Sequence, residues 1–102
     1  MPLYVGAQAP EAYRLTVTSK DVDLTTVTAA KIIVRDPFGN ESTWTATTSN
    51  ATTNAIEVTH VMSGELVTEG DHYFFAELTV PGGTIRSTTV KRQVLARFGL
   101  SN

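Results

Sequence analysis

Cysteine is absent from this 102-residue chain, so neither a disulfide nor a thiolate metal site supports its fold. A chain made in a reducing cytoplasm has no need of them, and small secreted domains also do without. Long apolar runs are missing as well. No window approaches a membrane span, and residues 1–6 lack the basic and apolar stretches of a secretory leader. Nor is there an excess of positive charge. Eight Lys and Arg against ten Asp and Glu leave a net charge of −2, which argues against a nucleic-acid footprint. No Gly-x-Ser-x-Gly elbow occurs, and none of the seven glycines precedes a helical pattern that would cradle a phosphate. An enzyme is not expected.

The scarce chemistry-bearing residues make no site on their own. His60 and His72 are the two histidines. Joined by Glu57 or Asp71 they would have to bind zinc at spacings no motif recommends, so both read as surface strand residues. Asp21 and Asp23 suit a turn in which each side chain bonds its own backbone better than a calcium loop. Arg86, Lys91, Arg92 and Arg97 alternate over a strand, which splits them between faces and makes them solvated charges. The sequons at Asn40 and Asn50 matter only in a secretory setting. No cofactor and no metal is expected.

What the chain does have is Thr, Val and Ile in period-2 alternation, broken by two Gly-marked turns at 37–40 and 81–84. The hydrophobic fraction of 41% suffices for one two-layer core. Residues 1–11 read as an extended arm, 12–96 as the domain and 97–102 as a tail. The first strand, 12–18, turns Tyr13, Leu15 and Val17 to one face and Arg14, Thr16 and Thr18 to the other. Leu24 plugs the edge behind it. In the next strand, 28–36, Ala30, Ile32 and Val34 face inward, and Ile33 interrupts the polar face, which suggests a second contact there. A strand over 41–47 carries Trp44, and 47–54 reads as a polar loop.

Further on, 55–61 places Ile56 and Val58 inward. Residues 62–69 read as an irregular stretch with one helical turn near 63–67 and Leu66 tucked in. Then 72–80 aligns Phe74, Ala76, Leu78 and Val80 on one face, with Tyr73 and Phe75 on the other. The last strand, 84–95, loses its alternation midway, the mark of a bend or bulge. About seven short strands with turns every 8–12 residues predict an all-β, immunoglobulin-like antiparallel sandwich.

Two groups of apolar residues need a destination. Trp44, Phe38, Tyr73 and Phe75 would make a platform for sugar rings if they were exposed together. Trp44 and Phe74 fill a core more readily in so small a domain. Leu3, Tyr4, Val5, Phe98 and Leu100 lie outside the expected strands, and either fold back on the domain or meet a partner surface. With Ile33 they are the candidate partner-binding residues.

Between Arg14 and Val94 the chain resembles the small immunoglobulin-like module of tailed-bacteriophage virion proteins, notably the N-terminal domain of baseplate upper proteins. The resemblance rests on 15–17 (Leu-Thr-Val), 23–25 (Asp-Leu-Thr) and the strand ending Val34-Arg35-Asp36-Pro37-Phe38-Gly39. It continues with Glu69-Gly70-Asp71-His72-Tyr73 leading into Phe75-Ala76-Glu77-Leu78, a Gly-Gly turn, and Arg86-Ser87 in the last strand. It implies a non-enzymatic structural subunit of a virion, as an accessory or decoration protein of tail, baseplate, neck or capsid. Such a subunit is made in the host cytoplasm and contacts other virion proteins in a homo-oligomeric or symmetric assembly, without nucleic acid or membrane. A carbohydrate-binding or adhesive module is the alternative.

Overall fold

Alternating Thr and β-branched residues with no helical period leave the backbone one economical option, pairing into sheets. The computed structural model describes residues 3–95. Its strands are β1 (Leu3–Tyr4), β2 (Gln8–Thr18), β3 (Ala29–Arg35), β4 (Glu41–Thr45), β5 (Thr47–Ser49), β6 (Ala55–Ser63), β7 (Gly70–Val80), β8 (Gly83–Arg86) and β9 (Val90–Leu95). They form two sheets. The larger has the order β1-β9-β7-β3-β4, with β8 also paired to β7, and the smaller has the order β2-β6-β5. The chain is an all-β two-sheet sandwich.

The inner faces carry the expected alternation. Tyr13, Leu15 and Val17 from β2 and Ile56, Val58 and Met62 from β6 meet Ile32, Val34, Trp44, Phe74, Ala76, Leu78 and Val94 of the larger sheet. Tyr13 stacks on Phe74 with ring centroids 4.3 Å apart, and Trp44 leans on both. Burial raises the Tyr13 phenol to about 12, against the opposing pull of the Arg92 guanidinium over its ring. Leu24 is fully buried, as expected, and Ala30 is half-buried at the rim.

The turns follow their residues. Asp36 accepts the amide protons of Phe38 and Asn40, both at 2.9 Å, and Gly39 takes φ +88° between them. Such φ is cheap only for glycine. The drift in the last strand is a real break at 87–89. There the Ser87 hydroxyl accepts the Ala76 amide proton at 2.8 Å while the Ser87 amide donates to the Ala76 carbonyl. A side chain thus substitutes for part of the ladder between β8 and β9.

Four expectations are corrected. Residues 3–11 are not an arm: β1 pairs in parallel with β9, Leu3 opposite Val94, and β2 already begins at Gln8. Leu3 and Ala7 are buried, and that burial draws the segment down. The polar stretch after Thr47 starts with β5, a three-residue edge strand paired to β6, because Thr is well suited to a hydrated sheet edge. The helical turn lies at Leu24–Thr26, where the Asp23 carboxylate caps it by accepting from the Thr25 amide and hydroxyl. Residues 63–67 form no helix; Gly64 with φ +87° turns the chain, and Leu66 is buried as expected. Finally, the two histidines are buried rather than exposed, His60 on β6 and His72 on β7.

Candidate functional site: the outer face of the larger sheet

The pleat sends every second residue of β3 and β7 away from the core, and the register brings particular ones together. Ile33 lies opposite Phe75, and Arg35 opposite Tyr73. On the flanks, Ile33 faces Thr43 of β4, Arg35 faces Glu41, and Tyr73 faces Lys91 of β9. The result is a depression of about 300 Å³ lined by Ile33, Arg35, Glu41, Tyr73, Phe75 and Thr89. Ile33 and Phe75 are half-buried and Tyr73 is 39% exposed.

Ion pairs bound this apolar stripe at both ends. Toward one end Glu77 accepts Lys31 at 3.1 Å and Arg86 at 3.0 Å, and Arg86 also lies over the Phe75 ring, 5.6 Å from its centroid. Its two cations, Lys31 first, hold the Glu77 carboxyl below the usual carboxylate range. Toward the other end Arg35 meets Glu41 at 2.7 Å, and Lys91 approaches Asp71 at 4.0 Å. Each charge on the face therefore has a partner within the sheet. The surface presents apolar area at its centre and compensated charge at its rim.

The other predicted site residues are dispersed. Leu3 belongs to the core, Val5 packs against it and donates its amide to Leu95, and Tyr4 is half-buried on β1. Burial removes Leu3 from any partner surface. Phe98 and Leu100, like Arg97, lie outside the described residues. Of the described candidates Ile33 lines this depression, and Tyr73 and Phe75 complete its apolar part. The sugar platform is not assembled: Trp44 is 5% exposed, Phe38 stands 78% exposed at the tip of the turn after β3, and only Tyr73 and Phe75 remain together. Arg35, Glu41 and Thr89 gave no sign of membership in the sequence. Their membership follows from long-range strand pairing, such as that of β3 with β7, which the local sequence pattern does not show.

No group of three metal-ligating side chains occurs among the described residues. The basic cluster is divided as its spacing predicts, with Arg86 and Lys91 on the outer face and Arg92 over Tyr13. No protein-family model, curated protein or solved structure matches the chain.

Proposed function

We propose that this domain is a non-enzymatic structural subunit of a bacteriophage virion and that it docks on a neighbouring virion protein through the outer face of its larger sheet. The observation that carries the docking part is the Ile33–Tyr73–Phe75 stripe, an apolar centre left half-exposed between self-compensated ion pairs. Sandwich faces that meet only water carry Thr, Ser and charge at such positions, as the outer side of β2 does here with Arg14, Thr16 and Thr18. Fully burying each large apolar side chain is worth roughly 1.5–3 kcal/mol, so a partner seated on the stripe gains where water does not. Charges already neutralised within the sheet lower the desolvation cost of that contact. The virion setting is supported by the resemblance of residues 14–94 to the phage module.

The test is composition. Phage particles are induced from the strain that encodes the chain, banded on a density gradient and analysed by mass spectrometry. Peptides of this chain are expected in the particle band at several copies per particle. Recovery only from the soluble fraction would overturn the virion reading.

A further inference from the structure

His60 is one of two buried polar residues among those described. It projects from β6 into the sandwich, stacked on Trp44 with ring centroids 4.6 Å apart and planes 25° from parallel. Both of its ring nitrogens meet acceptors. Nδ1 is 2.6 Å from the Thr45 carbonyl oxygen, and Nε2 is 2.5 Å from Oε2 of Glu65. A carbonyl oxygen and a carboxylate can only accept, and a neutral imidazole carries a single N–H. Turning the ring over would set carbon against both acceptors, so no neutral form satisfies the two contacts together.

Glu65 is itself committed to the ionised state. Its carboxylate accepts the Ser63 amide at 2.7 Å and the Ser63 hydroxyl at 2.8 Å in addition to His60. Partial burial works against the charge, but these bonds and the Glu65 amide outweigh it and hold the carboxyl down at about 2. Other ionisable groups stand around the pair. Tyr13 lies opposite His60 on β2 with Arg92 over its ring, and Asp36 and His72 share a small polar cavity with Glu65. A cation stacked on an indole face is also favoured over a neutral ring there.

We infer that His60 is an imidazolium in the folded domain and that its second proton acts as a latch, fastening the crossover 64–69 and, through it, the N-terminal strand. The mechanical link is a chain of bonds. Glu65 sits in the crossover, where the Gly64 amide donates to the Ala7 carbonyl at 2.9 Å and the Gly6 amide donates to the Leu66 carbonyl at 2.7 Å. Those two bonds hold the turn between β1 and β2, so the crossover supports the segment that places Leu3 beside Val94. Loss of the proton leaves a lone pair on His60 facing either the Glu65 carboxylate or the Thr45 carbonyl. One contact then breaks, and Nε2–Glu65 is the one that ties the crossover to β6.

The experiment uses the full chain labelled with ¹⁵N-histidine. At neutral pH both ring nitrogens of His60 should resonate as N–H nitrogens, and an unprotonated ring nitrogen there would overturn the inference. The latch is read separately by amide hydrogen exchange while the pH is raised. When His60 loses its second proton, protection at Gly6 and Gly64 should fall about tenfold or more, while Ile32 and Ala76 in the larger sheet keep theirs. Unchanged protection at Gly6 and Gly64 would show that the proton fastens nothing.

Discussion

At the scale of single residues, the interior depends on a few large rings whose positions leave no slack. Phe74 is fully buried, stacked on Tyr13 and touching Trp44. Phe74→Ala removes that ring without anything to fill its place, and should destabilise the domain by about 3–5 kcal/mol in urea unfolding. A midpoint unchanged from the parent would mean that the inner face of β7 is misassigned. Glu65 contributes to the acid limb of stability. Its carboxyl lies at about 2 in the folded state against an ordinary 4.5, so folding depends on the ionised form. Its contribution is complete above about 4.5 and is lost as the pH falls from there toward about 2. Urea midpoints measured down through this range should fall more steeply for the parent than for Glu65→Gln, which has no carboxyl to titrate. Parallel curves would count against the assignment.

At the scale of elements, periodicity made the central strands legible and long-range pairing did not. Ile32, Val34, Phe74, Ala76 and Leu78 alternate so regularly that their faces follow from the period alone, and all are buried. Residues 1–11 defeated the same reasoning because β1 has two residues, too few to show a period, and earns its place from Leu3 in the core and a parallel pairing with a strand at the other end of the chain. β5 has three residues, all exposed, so its composition reads as a loop. The histidines were misjudged for a different reason. Burial of His60 depends on acceptors at Thr45 and Glu65, which only the tertiary fold assembles. One member of the outer apolar stripe, Ile33, stands out of pattern in the sequence, but its junction with Phe75 and Tyr73 needs the β3–β7 register. The status of β1 leads to a direct expectation. Deleting residues 1–7 strips Leu3 and Ala7 from the core, and should lower stability by about 2–5 kcal/mol, the cost of emptying large buried apolar sites. A truncated domain as stable as the parent would restore the arm.

At the scale of the whole molecule, the two sides of the sandwich differ in character. The smaller sheet shows water mostly Thr with Arg14 and Glu57, Val61 being the large apolar side chain it exposes, while the larger shows an apolar centre of Ile33, Tyr73 and Phe75 ringed by compensated charge. The proposal that the larger sheet docks on a partner rests on that difference. The most direct measurement is particle incorporation of the double variant Ile33→Thr, Tyr73→Glu, compared with the parent chain by quantitative mass spectrometry of gradient-purified particles. Both positions point outward and Thr suits a strand, so the variant should keep its melting temperature within a few degrees. Its incorporation should fall at least about tenfold, since each lost apolar contact weakens docking by roughly 1.5 kcal/mol or more. A stable variant taken up at the level of the parent chain would contradict the claim and leave the outer face without a docking role.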